Sequence, residues 1–374
     1  MQPRERNISL DLYRFLCMFL ITSVHAFGYC NLTSAVSPDH FNFYLVNALS
    51  VLQRFSITGF VLISSYFLVE TQETLHKIIT FWLQLLFFSL ATLLLARVFD
   101  PNAFSTKYLL KSLFPVFSYH YWYPVSYLIL LIFAPILNKL IRSCPKKDLL
   151  RTILLLGFFL SVFFHFNPFM DEYVFVGHYS HSLIWFFFLY LIAGYIRLYG
   201  VRKPVLFGPI LFLVCSAVMY IVFVVDRLAA KAGPSYAFII TLLDQINLQS
   251  YNSLLPLLIS VSSFVMFLHF KPSVPKWLNK TITFLVPATF GIYLIQEHNA
   301  IRSAFWESTN LAAFAHSPWL LPMIVLVFLC LWGAAIVLYL LYRLARKLFL
   351  GKLENVLLDL SKKIFVRSSP PSNP

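Results

Sequence analysis

The chain has 374 residues, of which 59% are hydrophobic and only 12% are charged, and its formal net charge is +14. Soluble globular domains are about one-quarter charged, so this composition excludes a soluble domain and indicates a protein that crosses a membrane several times. Cytoplasmic segments beside anionic lipids account for the positive charge, so we expect a lipid bilayer, and not a nucleic acid, as a partner.

Ten hydrophobic segments are each roughly long enough to cross a bilayer core of about 30 Å. In chain order they cover residues 8–28, 46–69, 77–98, 121–141, 150–166, 183–199, 204–225, 251–270, 283–298 and 318–342. The sequence therefore predicts an all-α membrane protein, a polytopic bundle of about ten transmembrane helices. Residues 235–248 are also apolar, but this segment is short and contains Asp244, so we expect a re-entrant or interfacial helix there.

The distribution of lysine and arginine orients these spans. If the N-terminus is cytoplasmic, 21 of the 29 lysines and arginines lie in cytoplasmic segments, six lie outside, and Arg14 and Arg54 lie within spans. Cytoplasmic loops of membrane proteins carry an excess of positive residues. The bias predicts that the N-terminus and the C-terminus are both cytoplasmic.

Reporter fusions test this orientation. A reporter in the loop around Cys144–Arg151 is expected on the cytoplasmic side, and one near Asp171–His178 on the outer side, because the first loop is rich in positive residues. The opposite labelling pattern would overturn the predicted orientation.

The last part of the chain differs from the spans in composition. We predict a ten-span domain over residues 1–342, followed by a basic juxtamembrane helix and a disordered cytoplasmic tail over residues 343–374. The sequence RLARKLFLGKLENVLLDLSKKIF is basic and is expected to lie along the inner membrane surface. The sequence VRSSPPSNP is typical of a disordered end.

The first span carries three ionisable residues, Asp11, Arg14 and His25. At about 100° per residue, Arg14 and His25 lie within about 20° of each other on one helix face and about 16 Å apart along the axis. Asp11 is three residues before Arg14 and is close enough to pair with it. Ionisable residues at membrane depth are costly and usually functional. A structural explanation stays open, with a buried Asp11–Arg14 pair and an interfacial His25.

The residue types favour a reaction that joins two compartments. An arginine offers a fork of donors suited to phosphate, and a histidine has the pKa of a general base near neutral pH. Asp11, Arg14 and His25 form a polar stripe along one face of the first span. A cytoplasmic phosphorylated donor at Arg14 and an outer hydroxyl acceptor at His25 would use both ends of this stripe.

Aromatic and polar residues concentrate in the predicted outer segments, for example in FSYHYWYPVSY and YLIQEHNAIRSAFWES. Such a surface suits sugar rings, although an aromatic belt at the membrane interface has the same composition. The sequence HYSH lacks a third ligand at metal-binding spacing, so no metal is expected.

The sequence RNISLDLYRFLCMFLITSVHAFGYC resembles the start of the acyltransferase 3 family, integral-membrane O-acyltransferases found mostly in bacteria. The first span of that family carries an arginine, ten residues and a histidine, which Arg14 and His25 match, with Asp11 at the usual place. RFSITGFVLISSYFL, YWYPVSYLILLIFAPILNKLI and TFGIYLIQEH are similar to later family segments. In the last of these, Gln296 replaces the familiar histidine and His298 follows two residues later.

The resemblance implies transfer of an acyl group, commonly acetyl from acetyl-CoA, to a hydroxyl of an envelope glycan, at the bacterial cytoplasmic (inner) membrane. The acceptor glycan is free or lipid-linked, and the chain completes the reaction alone or passes the acyl group to a separate soluble acyltransferase. Acetyl-CoA or another acyl-CoA is then the donor substrate.

The resemblance also implies roles for particular residues of this chain. His25 removes the acceptor proton or carries the acyl group, and Arg14, Asp11 and Arg54 are candidates for the acyl-CoA site. Candidate acceptor-binding residues are Tyr121, Trp122 and His298. A transporter or flippase for a glycan precursor is the alternative function, since prolines within spans also occur in transporters.

Overall fold

A computed structural model of the chain describes residues 7–71, 74–99, 104–118, 120–163, 183–233, 238 and 250–367. All regular structure in these ranges is helical, and no strand occurs among them. The expected helix at 235–248, apart from residue 238, and the expected disorder after residue 367 lie outside the described residues.

The helices are α1 (Ile8–Tyr29), α2 (Leu32–Ala35), α3 (Phe41–Gln53), α4 (Ser56–Leu68), α5 (Thr74–Ala96), α6 (Thr106–Leu113), α7 (Trp122–Ser143), α8 (Lys146–Phe158), α9 (Leu183–Tyr199), α10 (Pro204–Ala232), α11 (Leu254–His269), α12 (Lys276–Leu285), α13 (Thr289–Gln296), α14 (Arg302–Thr309), α15 (Leu320–Ala345) and α16 (Gly351–Arg367).

Seven described helical stretches are long and apolar enough to cross a membrane, namely α1, α3–α4, α5, α7, α10, α12–α13 and α15–α16. The shorter apolar helices α9 and α11 coincide with two further predicted spans. The prediction of a multi-pass, all-α membrane protein is therefore confirmed. The count of ten spans and the cytoplasmic location of both termini stay predictions.

Helix α1 lies at the centre of the bundle, in contact with α3, α4, α11 and α13. The side chain of Asn7 caps it by accepting hydrogen bonds from the backbone amides of Ser9 and Leu10. On its buried face, Tyr13 stacks on Phe267 at 4.7 Å between ring centroids and bonds Ser263 with its hydroxyl at 2.7 Å. In a bilayer, burial of apolar side chains from water cannot drive helices together. Close packing and interhelical hydrogen bonds of this kind hold them together instead.

The packing of α1 against α4 depends on Gly59. A Cβ atom at that position would lie 2.5 Å from the Tyr13 hydroxyl and 3.0 Å from the Cys17 sulfur. Glycine therefore permits the close approach of these two helices. The approach places the Arg14 side of α1 next to the second half of the α3–α4 stretch.

The regular α-helical hydrogen-bond pattern breaks once inside the α3–α4 stretch, at Arg54 and Phe55, whose amides bond the carbonyls three residues earlier. Just before the break, Gln53 donates a hydrogen bond of 3.0 Å to the Ser23 hydroxyl of α1. This contact places the break at the depth of Ser23, two residues from His25.

The helix α15 continues through a wider turn, Arg346–Leu350, directly into α16. The predicted division between residues 342 and 343 therefore does not coincide with a helix end. Helix α16 packs against α5, and the contact involves the buried side chain of Glu354. Its expected position along the inner membrane surface stays a prediction.

Candidate active site

A cavity of about 870 Å³ opens between the start of α1, the start of α5, the middle of α7 and the end of α15. Arg14, Lys77 and Arg346 line it, together with His76. Its upper wall is aromatic and includes Tyr123 and Tyr127. Sites for small molecules usually enclose about 300–1,000 Å³, so this cavity has the size and charge to hold a phosphorylated ligand.

Arg14 projects from α1 into this cavity. Its Nη1 atom lies 3.5 Å from Oδ1 of Asp11, and both residues line the cavity. The Asp11 side chain is 5% exposed, whereas that of Arg14 is 25% exposed. The carboxylate thus orients the guanidinium from the protein side, and part of the guanidinium faces the cavity.

His25 lies at the other end of α1, against the segment that follows α13. Its Nδ1 atom is 3.4 Å from Oε1 of Glu297. The same carboxylate accepts a hydrogen bond of 3.1 Å from the Tyr29 hydroxyl and lies 3.5 Å from Nη1 of Arg302. A histidine whose Nδ1 faces a carboxylate keeps Nε2 as the nitrogen that can accept a proton.

Tyrosines separate the cavity from His25. The Tyr123 ring, which lines the cavity, lies 5.9 Å from the ring of Tyr293, and Tyr293 lies 6.4 Å from the imidazole of His25. Tyr121 belongs to the same layer, 6.2 Å from Tyr293, and its hydroxyl donates to the Leu294 carbonyl at 3.0 Å. Among the described residues, these tyrosine rings connect the cavity to the surroundings of His25.

Comparison with known protein families identifies the family to which these site residues belong. A model of that family, described as an acyltransferase domain and named acyltransferase 3, matches residues 7–349. The chain belongs to the acyltransferase 3 family. No curated protein and no solved structure matches it. The match starts at the residue that caps α1 and includes both the cavity and His25, so the chain is a membrane acyltransferase.

Two of the predicted site residues of this acyltransferase, Tyr121 and Trp122, lie in or beside the tyrosine layer. The Trp122 ring lies 5.7 Å from that of Tyr123. The structure thus brings Asp11 and Arg14 together at the cavity, and it places Tyr121 in the tyrosine layer and Trp122 beside Tyr123. Their direct contact with substrates stays a prediction.

Sequence reasoning missed Glu297. The residue lies between two positions that the family resemblance singled out, Gln296 and His298. A carboxylate within a predicted span was the available signal, because such groups are costly there and usually functional. Its pairing with His25, 272 positions earlier in the chain, becomes visible only when α1 and α13 pack together.

His298 lies inside the protein and has hydrogen bonds at both ring nitrogens. Nδ1 accepts from the Ala300 amide at 3.2 Å, and Nε2 lies 3.1 Å from both the Ser89 carbonyl and the Ser112 hydroxyl. The carbonyl requires a donor, so the proton of the neutral ring is on Nε2. His298 packs on His120, at 4.3 Å between ring centroids. Its predicted role in acceptor binding stays a prediction.

The two rings make the stability of the acyltransferase depend on pH. Burial lowers the pKa of His298 to about 3 and, with help from nearby Lys111, that of His120 to about 4. Because both folded-state pKa values lie below the ordinary value of about 6.5, stability is present above that value and is lost as pH falls toward 4.

We expect the thermal unfolding temperature in detergent to fall as the pH is lowered from 7 to 5. His298→Gln removes one titrating group, so its stability should fall less steeply over the same range. An equal pH dependence in the variant and the unmodified protein would contradict this explanation.

Arg54, predicted as a candidate for the acyl-CoA site, does not line the 870 Å³ cavity. Its guanidinium carbon lies 4.8 Å from the ring centroid of Tyr251 and 5.2 Å from that of Phe223. The structure therefore places Arg54 and Arg14 in different surroundings, although both residues belong to helices that pack together.

Glu354 of α16 holds the end of the cavity that is opposite the tyrosine layer. It accepts two hydrogen bonds from Arg346, at 3.0 and 3.1 Å, and lies 2.8 Å from Nε2 of His76. The Thr80 hydroxyl also donates to it. One buried carboxylate thus orients three groups that line the cavity, so the C-terminal helix supports the wall of the site from behind.

Glu354→Gln is expected to destabilise the fold by about 1–3 kcal/mol, because a buried charged acceptor loses its strongest bonds. The measurement is thermal unfolding of the purified protein. Asp359→Asn on the exposed side of the same helix is the matched control and should have little effect. Equal stability of the two variants would count against a structural role for the Glu354 cluster.

Among the described residues, no group of three or more histidine, cysteine, aspartate or glutamate side chains is placed to bind a metal. The sequence HYSH, residues 178–181, lies outside the described residues.

Proposed function

We propose that the protein is an O-acyltransferase of a bacterial cytoplasmic membrane, which transfers an acetyl group from acetyl-CoA to a hydroxyl of an extracytoplasmic glycan. O-antigens, capsules and exopolysaccharides are glycans of this class. One observation carries the proposal: a single helix, α1, places Arg14 in a basic cavity and His25 beside a carboxylate beyond a tyrosine layer.

The basic cavity suits the donor. The diphosphate and the 3′-phosphate of CoA need cationic donors, and Arg14, Lys77 and Arg346 line the cavity that opens at the start of α1. With the N-terminus cytoplasmic, this end of the cavity faces the compartment that supplies acetyl-CoA. The acetyl thioester at the far end of the long pantetheine arm would then reach toward Tyr123 and Tyr293.

The His25 end suits the acceptor. Glu297 lies 3.4 Å from Nδ1 of His25, which favours the tautomer with its proton on Nδ1 and leaves Nε2 to remove the proton of the glycan hydroxyl. The hydroxyl oxygen attacks the thioester carbonyl carbon, an ester bond forms, and the carbon–sulfur bond breaks. The imidazolium returns its proton to the CoA thiolate. The charge on His25 is stabilised by Glu297 while it exists.

A strain that lacks this chain tests the proposal. We expect mass spectrometry of its envelope glycans to show loss of the acetyl ester, with an unchanged amount of glycan. Re-expression of the unmodified chain should restore the ester, and re-expression of the His25→Ala variant should not. A fall in the amount of surface glycan, with acetylation of the remainder unchanged, would instead indicate a transporter or flippase.

A further inference from the structure

Arg54 lies near the middle of the α3–α4 stretch, where the helix breaks. Its Nε atom is buried and has no hydrogen-bond partner. Its guanidinium is bordered by the rings of Tyr251 and Phe223, at 4.8 and 5.2 Å. Aromatic faces attract a cation, and the Tyr251 hydroxyl also bonds this guanidinium, but the buried Nε donor stays unused.

A second arginine, Arg227 of α10, shares this environment. Its guanidinium carbon lies 5.8 Å from the same Phe223 ring, and its Nη2 atom donates to the Ser50 hydroxyl at 3.3 Å. Its Nη1 atom is buried without a hydrogen-bond partner. Arg54 and Arg227 are close enough to repel each other electrostatically.

Some other arginines of the described chain have carboxylate partners, as Arg197 does with Glu70 at 2.7 Å and Arg302 with Glu297 at 3.5 Å. Asp226, the chain neighbour of Arg227, offsets part of the Arg227 charge, but within the described ranges neither Arg54 nor Arg227 forms an ion pair of the kind that Arg197 and Arg302 form. Two like charges on membrane-spanning stretches with unused buried donors are costly. An anion that accepts from both guanidinium groups would remove this cost.

We propose that Arg54 and Arg227 bind a phosphoryl group of a membrane lipid, at a site separate from the acyl-CoA cavity. Phosphate and diphosphate oxygens match the forked donors of arginine and carry the charge needed to neutralise two of them. The group belongs to a lipid because both arginines lie on stretches that are apolar enough to cross a membrane.

The depth of the site relates it to the acceptor. Gln53, next to Arg54, bonds Ser23 of α1, and Ser23 is only about 3 Å along the helix axis from His25. The two residues face different sides of α1, so the phosphoryl site is separate from the His25–Glu297 pair but level with it. A lipid-linked saccharide held by its diphosphate would have its sugars at the level of the base; this reading of the ligand rests on the proposed function.

Binding of three probes to the purified full-length protein in detergent tests the site. Farnesyl diphosphate represents an isoprenoid-linked diphosphate, dihexanoylphosphatidylglycerol represents a phospholipid headgroup, and CoA represents the donor. The test variants are Arg54→Gln and Arg227→Gln. Arg151→Gln, which removes a surface arginine that is 75% exposed, is the matched control for loss of charge.

We expect farnesyl diphosphate to bind the unmodified protein and Arg151→Gln equally, and to bind each test variant at least about tenfold more weakly. CoA should bind all four proteins alike. Because each test variant relieves repulsion between the arginines, its unfolding temperature without ligand should not fall, whereas its stabilisation by farnesyl diphosphate should be lost. Arg227→Lys keeps the charge without the fork and gives a second measurement if a glutamine variant does not fold.

The outcomes distinguish the two classes of lipid ligand, and they show which results would overturn the proposed site. Arginine-dependent binding of phosphatidylglycerol as tight as that of farnesyl diphosphate would assign the site to phospholipid headgroups. Unchanged farnesyl diphosphate binding in both test variants would overturn the site. Loss of CoA binding in Arg54→Gln would place Arg54 in the donor site and overturn the separation of the two. None of these measurements requires acyl transfer, so they do not depend on the proposed reaction.

Discussion

His25→Ala is expected to abolish acyl transfer while leaving acyl-CoA binding intact. Loss of a general base typically lowers a rate by about 10²–10⁴-fold, and loss of an acyl-carrying nucleophile would close the route entirely. Binding of the donor should be unaffected, because His25 does not line the basic cavity and the tyrosine layer lies between them.

The measurement uses purified protein with labelled acetyl-CoA and the acceptor glycan, beside equilibrium binding of CoA. His40→Ala is the matched control, since His40 lies outside the site and caps α3 through a bond to the Asn42 amide. Transfer by His25→Ala at the unmodified rate would show that the polar stripe of α1 is structural and that this mechanism is wrong.

Glu297 should act through His25, as a positioning residue. Glu297→Gln is expected to lower kcat with little change in KM for acetyl-CoA, because it removes the charge that orients and stabilises the imidazolium. Glu297→Asp keeps that charge and should restore part of the rate. A residue that only supports the fold would lower the amount of folded protein and would not separate kcat from KM in this way.

Local patterns in the chain predict the parts of this structure that depend on local geometry. Hydrophobic runs predict α5, α7 and α15, because the length needed to cross a bilayer is a property of one segment. Helical periodicity likewise predicts that Arg14 and His25 share a stripe on α1. Both predictions require only the geometry of one helix.

Contacts between distant helices are beyond such patterns. Glu297 meets His25, and Glu354 meets His76 and Thr80, across more than 260 positions of the chain. The sequence contains each residue but not the packing that brings them together. The basic composition of the C-terminal helix predicts a position along the membrane surface, but it does not reveal that Glu354 is buried against α5.

Arg54 shows a second limit of sequence reasoning. A charged residue within a predicted span is a functional candidate, but the sequence does not show which site it serves. The break after Gln53 and the packing of α10 beside α3 place Arg54 near Arg227 and not near Arg14. Arg227, which lies near Arg54 in the fold, is again far from it along the chain.

Arg14→Lys is expected to leave the acyltransferase folded and to weaken acyl-CoA binding by at least about tenfold. Lysine keeps the positive charge beside Asp11 but lacks the planar fork that binds two phosphate oxygens at once. One lost hydrogen bond to a charged group is worth about 1.5–3 kcal/mol, and 1.4 kcal/mol corresponds to a factor of ten. Arg151→Lys, on the protein surface, is the matched control.

Arg14→Ala should weaken binding further, but it also leaves the Asp11 carboxylate buried without this cation, which can cost about 3–5 kcal/mol of stability. Asp11→Asn in the same protein removes the carboxylate charge that Arg14 had faced. We therefore expect the double variant to recover the unfolding temperature of the unmodified protein without recovering acyl-CoA binding. Recovery of both would mean that Arg14 only stabilises α1, because a residue that binds the donor phosphates cannot be replaced by removing its neighbour's charge.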